Sequence, residues 1–297
     1  MNYLVTGATG FIGSRVVEAL LAQGHSVNYL GRRRSNHLDT RAAFHFWNIK
    51  EAPPLDSMPR LDAVVHLAGE PVAQHWTAEV KRRIHDSRVI GTRKLVSAIG
   101  ELDYKPSVLV SSSAVGYYGS RGDEILTEQS APGSDFLAQV CRDWELEAVR
   151  ARDFGLRVVP IRTGIVLGRN GGALKQMLPP FRLGLGGKLG NGKQWMPWIH
   201  LEDLVRLFIF AAESQEVSSP LNGVREPVTN AAFTRELGRA LHRPTVFSIP
   251  KFGLKAAFGE MSEALLSSAR AIPQATEKAG FPYKFNDLRS ALNDAVS

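Results

Sequence analysis

The sequence predicts an α/β protein built on a doubly wound parallel sheet, followed by a smaller region. Three observations carry that reading. Through residues 1–165, apolar runs of strand length alternate with amphipathic stretches of helix length, the pattern of repeated strand–helix–strand units. The first apolar run ends in a glycine-spaced turn that leads straight into a helical pattern. After Gly168 glycine and proline become frequent and the alternation stops.

Taken in order, strands are expected at 3–6, 26–30, 44–47, 63–67, 107–111 and 157–161, and helices at 11–23, 78–99 and 134–152. Right-handed crossovers place such helices on both faces of the sheet. The expected division is 1–168 for this part and 169–297 for a substrate-side and C-terminal region, interleaved with the first in one unit. In the second region helices are expected at 201–214 and 230–241 and in a set ending near residue 295. Short strands are expected at 221–224 and 245–249.

The turn after the first strand reads Gly7-Ala8-Thr9-Gly10-Phe11-Ile12-Gly13, and Val16, Val17, Leu20 and Leu21 then share one helix face. Gly7 permits the tight turn, Gly10 lets backbone approach a pyrophosphate, and Gly13 allows helix and sheet to pack closely. The helix N-terminus offers free N–H groups and positive dipole density to phosphates. A strand before and a helix after make this a Rossmann-type dinucleotide cradle. The second strand ends in Gly31-Arg32-Arg33-Arg34 with no carboxylate to accept from a ribose 2′-OH. A guanidinium there pairs with a 2′-phosphate, so the expected cofactor is NADP(H), with Arg32 as the contact. The strand at 63–67 ends in Ala68-Gly69, small enough for a nucleotide to lie against backbone.

Composition narrows the function classes. One cysteine, Cys141, excludes an intrachain disulfide, and its place in a helical pattern reads as a small buried residue. None of the eight histidines falls in an HExxH pair or in a zinc-spaced Cys/His cluster, so no metal is expected. The net charge of +7 resides in scattered cations apart from residues 32–34 and 81–83. That distribution suits a phosphate-bearing small ligand better than nucleic acid. No secretory leader and no bilayer-length apolar run are visible, which makes the expected address cytoplasmic, without a membrane partner.

TGATGFIG at the start, HLAGE at 66–70, SSSAVGYYG at 111–119, LPPFRLGLGG at 178–187 and WIHLEDL at 198–204 together resemble the extended short-chain dehydrogenase/reductase superfamily. More narrowly the chain resembles its divergent NAD-dependent epimerase/dehydratase-like branch of YfcH-like and SDR39U-type proteins, over essentially its whole length. The resemblance implies a cofactor pocket completed by Gly31 and Arg32, Leu67 and Ala68, Arg83 and Arg88, and Ile165. Arg83 and Arg88 are five apart, roughly 140° on an ideal helix, so spacing alone does not place them on one face.

Redox members of that superfamily carry a Tyr and, four residues later on the same helix, a Lys beside a Ser or Thr. The Tyr exchanges a proton with the carbinol oxygen and the ammonium lowers its pKa. Here the residues four beyond Tyr3, Tyr29, Tyr104, Tyr117, Tyr118 and Tyr283 are Gly7, Arg33, Val108, Arg121, Gly122 and Asp287. The helix expected at 134–152 holds neither Tyr nor Lys. If chemistry occurs, Ser113 is the expected hydrogen-bond donor to a substrate oxygen and Tyr118 the expected proton relay. His200, Glu202 and Asp203 do not make a triad on this reading. The acids suit a first helical turn, and His200 suits a buried backbone group. Trp195 and Trp198 are candidates for a pocket wall, and Lys188 and Lys193 for holding a substrate phosphate or sugar.

Two functions stay open. One is an NADP(H)-dependent oxidoreductase or nucleotide-sugar epimerase with an atypical proton-transfer apparatus, acting on a nucleotide sugar or carbonyl compound. The other is a catalytically weak NADP(H)-binding regulatory protein, linked to cell division through relatives of this branch.

Overall fold

The computed structural model describes residues 1–297. Its main sheet has seven strands: β1 (Asn2–Thr6), β2 (Ser26–Gly31), β3 (Ala43–Phe46), β4 (Ala63–His66), β5 (Val108–Ala114), β6 (Arg157–Thr163) and β7 (Leu221–Gly223). All pair in parallel in the order β3-β2-β1-β4-β5-β6-β7. The chain winds outward from β1 through β2 to β3, then crosses back to β4 and winds the other way. The crevice between β1 and β4, where direction reverses, is where such sheets bind ligands.

Side-chain alternation makes the two layers. Tyr3 and Val5 of β1, Ala63 and Val65 of β4, and Val108 and Val110 of β5 face a core shared with α1 (Phe11–Ala22). Leu4, Val64 and Leu109 face the opposite core, built with α2 (Ala78–Glu101) and α3 (Phe136–Val149). Strands buried on both faces read as continuous apolar runs, as these do. Thr77 and Asp135 cap α2 and α3, each side chain accepting from the backbone N–H three residues on.

The region after residue 168 is not a separate body. Within it, α4 (Gly172–Arg182) and α5 (Leu201–Glu213) precede β7, which adds to the sheet edge beside β6. Leu204, Leu207 and Phe208 of α5 join the α1-side core. The helices α6 (Asn230–Ala240), α7 (Lys251–Phe258), α8 (Met261–Leu266), α9 (Gln274–Lys278) and α10 (Leu288–Val296) follow. Residues Leu174, Leu178, Phe181, Trp198, Phe233, Leu288 and Leu292 form a second core there.

Three expectations need correcting. Residues 172–182 form a helix although Pro179 and Pro180 lie inside it, because Leu174, Leu178 and Phe181 bury a common face. That burial outweighs two missing N–H donors. Strand β5 runs three residues past the expected end, through Ser112, Ser113 and Ala114, paired to β6. Trp198 is 1% exposed with its indole N–H on the Glu226 carbonyl, a core residue and no pocket wall, since an indole fills the space between α4 and α6.

Candidate functional site

The cradle after β1 is closed to any side chain. Gly7 has φ +68, and a Cβ on it would stand 2.7 Å from the Leu67 carbonyl. A Cβ on Gly13 would stand 2.2 Å from the Gly7 carbonyl oxygen, so α1 packs on the turn only as glycine. The first turn of α1 has no side-chain cap and no acid, and Thr9 and Gly10 are exposed. Its N–H groups and dipole are therefore left for an anion.

A buried relay fixes the opposite wall. The Thr6 hydroxyl accepts from the backbone N–H of Leu67 (3.2 Å) and Ala68 (3.1 Å), and so gives its own proton to His66 Nδ1 at 2.7 Å. That leaves Nε2–H to donate to Thr92 Oγ1 at 2.9 Å. The ring is wholly buried, and loss of solvent holds its pKa down at about 4, so it stays neutral. Sequence reasoning passed over Thr6, His66 and Thr92. The polar alternation at the ends of two otherwise apolar strands was the available signal.

The expected cofactor residues ring this crevice from several elements. Gly31 and Arg32 end β2, and Arg32, Arg33 and Arg34 are exposed with no hydrogen bond or ion pair of their own. Phe11 packs against Gly168, Gly171 and Gly172, joining the turn to the start of α4, and Ile12 and Ile165 are half-buried nearby. The Arg88 guanidinium lies across the loop after β4, donating to the Glu70 carbonyl at 2.9 Å, and sits 5.1 Å above the Trp144 ring. Its burial lowers its pKa. Arg83, by contrast, is exposed and occupied by Glu79 at 3.0 Å and Glu70 at 3.7 Å. Both arginines thus meet at Glu70, Arg88 on its backbone carbonyl and Arg83 on its carboxylate.

Beyond β5 the geometry departs from the expected chemistry. Ser113 is 2% exposed and donates its proton to Glu145 Oε1 at 2.6 Å. Glu145 also takes a two-pronged bond from Arg162, Nε at 2.9 Å and Nη2 at 2.8 Å, with both side chains buried. Held this way, Ser113 can accept but not donate, the reverse of its expected role. Tyr118 is fully buried, receives Arg162 Nη1 at 3.1 Å and donates to Asn222 Oδ1 at 2.7 Å. Burial pushes its hydroxyl up to about 12, against the opposing charge of Arg162. With no surface and both bonds taken, Tyr118 is suited to positioning and not to carrying a proton to a ligand.

Asn222 then donates to the Ile272 carbonyl, and Glu128 accepts from the N–H of Asn222 and of Ala275, both at 3.0 Å. The network therefore ties β5, α3, β6 and β7 to the C-terminal segment. Glu145, Arg162, Glu128 and Asn222 were not expected from sequence, although Arg162 following the apolar run 158–161 was a sign of a buried partner.

The α3 face turned toward Ser113 carries Leu137, Cys141 and Glu145 at four-residue spacing. A Cβ placed on Gly116 would meet Leu137 Cβ at 3.3 Å and Cys141 Sγ at 3.9 Å. Burial pushes the Cys141 thiol up to about 12, which makes it inert near neutrality. On the facing surface that a Tyr/Lys pair would use stand an alkyl group and a protonated thiol.

His200 has the capping place anticipated for it: Nδ1 accepts from Glu202 N–H at 3.2 Å, and Nε2 faces Asp294 at 3.2 Å. Asp203 is fully buried on the backbone N–H of Lys284 and Phe285. Trp195 donates to Asp123 and stacks under Arg270, while Lys188 and Lys193 are exposed. Among the side chains no group of three His, Cys, Asp or Glu forms a metal cage.

Residues 3–222 match the model of the NAD dependent epimerase/dehydratase family, and residues 249–295 match a domain of unknown function, DUF1731. The chain is 41% identical over 297 residues to epimerase family protein ML0860 of Mycobacterium leprae, covering 99% of this chain and 95% of that one. The crystal structure of human epimerase family protein SDR39U1 (isoform 2) with NADPH superposes with a TM-score of 0.89 at 34% identity over 99% of both chains. UDP-glucose 4-epimerase of Thermotoga maritima, solved with UDP-glucose, gives a TM-score of 0.82 at 20% identity over 100% of this chain and 97% of that one, a likeness of fold alone. With the glycine cradle, the sheet order and these matches all in agreement, the chain belongs to the NAD dependent epimerase/dehydratase family, in the branch of SDR39U1-like epimerase family proteins.

Proposed function

We propose that this chain binds NADP(H) and acts as an oxidoreductase or epimerase on a small carbonyl- or sugar-bearing substrate, without the usual tyrosine–lysine proton exchange. The observation that supports it most is the side-chain-free cradle at Gly7 and Gly13 beside three unpaired arginines at the end of β2. The residues fit a dinucleotide: Gly7, Thr9, Gly10, Phe11, Ile12 and Gly13 around the pyrophosphate, Arg32 on the 2′-phosphate, and Leu67, Ala68 and Ile165 along the crevice. Human SDR39U1, which was solved with NADPH, supports the same reading. When bound, the cofactor supplies hydride transfer.

The chain's own residues then orient and exclude water. Arg88 aims a cation at the loop after β4, and Arg83 guards the rim through Glu70 and Glu79. Ser113, its proton committed to Glu145, fixes that carboxylate and Arg162 against the end of β5. Tyr118 holds Arg162 in place. The nucleotide-sugar class draws support from the likeness to the nucleoside-diphosphate sugar epimerase of Corynebacterium glutamicum, 34% identical over 100% of this chain.

Leu137 and Cys141 opposite Ser113 favour a second reading, an NADP(H)-binding regulatory protein with little turnover. Incubation of the purified protein with NADPH and a panel of aldehydes, ketones and nucleotide sugars separates the two. Loss of NADPH absorbance or epimer formation supports the enzyme, and silence from a protein that binds NADPH tightly supports the regulator.

A further inference from the structure

The tip of the C-terminal region is both apolar and basic. Of the thirteen large apolar side chains that stand exposed on the whole chain, six are here: Leu183 (75%), Leu185, Val246 (81%), Phe247, Phe252 (78%) and Phe258. The segments that carry them lie side by side. Strand 247–249 pairs in parallel with strand 187–189, and Arg243 Nε donates to the Arg182 carbonyl at 2.9 Å. The Gly190 N–H bonds the Ile249 carbonyl, and α7 starts two residues later, with only Leu254 of its eight residues buried. A concentration of this kind marks a docking surface, whereas single exposed apolar residues do not.

Charge selects the occupant. Arg182, Lys188, Lys193, Arg243, Lys251 and Lys255 surround the apolar tips, and none of the six is in an ion pair. Residues 169–201 and 237–259 contain no Asp or Glu. Glu260 at the border is taken by Lys81. A second copy meeting this face with its own would set cations against cations. Leu183, Val246 and Phe252 stand 75% to 81% exposed, among long lysine and arginine stems, which suits a soft interface that accepts protruding side chains.

We propose that this surface docks the protein on an anionic phospholipid bilayer, with Leu183, Val246 and Phe252 entering the headgroup boundary and the six cations meeting lipid phosphates. No helix is long and apolar enough to cross a membrane, so the contact is peripheral. Each cation near an anionic surface strengthens binding about fivefold, and two therefore about 25-fold.

The test is sedimentation of the full chain with vesicles of phosphatidylcholine alone or with one third phosphatidylglycerol. Binding is expected only to the anionic vesicles and is expected to vanish at molar salt, where screening reaches within about 3 Å. Lys251→Gln with Lys255→Gln weakens it about 25-fold, and Leu183→Ser with Phe252→Ser about tenfold or more. Arg15→Gln with Arg142→Gln, the same charge change elsewhere, leaves it within about threefold. Thermal melts and NADPH titrations show that each variant is folded. Equal partition to both vesicle types, or binding that survives Leu183→Ser with Phe252→Ser, overturns the proposal. So does an absence of vesicle binding, whether or not an acidic protein is captured by the same face.

Discussion

Glu145→Leu is the perturbation whose consequence the structure sizes best. It leaves Arg162, 3% exposed, with its charge and no carboxylate. Removing one member of a buried ion pair costs about 3–5 kcal/mol, because the surviving charge keeps its desolvation penalty. A chain of 297 residues unfolds with about 2.1 cal/mol/K per residue, hence about 600 cal/mol/K in all. Dividing gives a fall in Tm of about 5–8 °C. Calorimetric melting of wild type, Glu145→Leu, Arg162→Met and the double variant measures it. The double variant should recover at least half of the loss, since two apolar groups of similar size leave no orphaned charge. A fall below about 2 °C in the single variant, or a double variant equal to the sum of the singles, refutes the claim that this pair is a coupled buried unit.

Gly13→Ala forces a Cβ to within 2.2 Å of the Gly7 carbonyl oxygen, so the start of α1 must move off the turn. NADPH affinity is expected to fall by about tenfold or more while helical content by circular dichroism is kept. His66 gives a pH dependence with a definite sign. Its folded pKa of about 4 lies below the unfolded value of about 6.5, so the unfolded chain binds the extra proton between those limits. Stability is therefore whole above about pH 6.5 and is lost as pH falls toward 4, by about 3 kcal/mol from this group. Denaturant titrations across that range should show a shallower acid loss in His66→Gln, and parallel curves would argue against a neutral buried ring. Cys141 should resist alkylation in the native protein at neutral pH and react once it is unfolded, as a buried thiol pushed up to about 12 requires.

Much of this was legible in the residues. The parallel sheet followed from strand-length apolar runs alternating with helix-length amphipathic stretches, and the crevice from Gly7, Gly10 and Gly13 set between strand and helix. What stayed hidden depended on distance in space. Ser113 was read as a donor because nothing adjacent in sequence shows that Glu145, 32 residues on, takes its proton. Tyr118 looked free because Arg162 and Asn222 reach it from β6 and β7. The absence of a Tyr/Lys pair was readable by spacing alone, but its replacement by Leu137 and Cys141 needed the rotational setting of α3 against β5. Helix α4 was missed because Pro179 and Pro180 speak locally against it, while the stripe Leu174, Leu178, Phe181 that carries it gains its energy only from a core assembled out of α6 and α10.

The central claim is that the turn after β1 grips a pyrophosphate while Arg32 neutralises a 2′-phosphate. Calorimetric titration of wild type and Arg32→Ala with NADPH and NADH tests it directly. The account requires wild type to bind NADPH at least about tenfold more tightly than NADH, as a charge-assisted bond to phosphate implies, and requires Arg32→Ala to erase most of that preference. Equal affinities in wild type, a preference untouched by the substitution, or no binding of either nucleotide would contradict it.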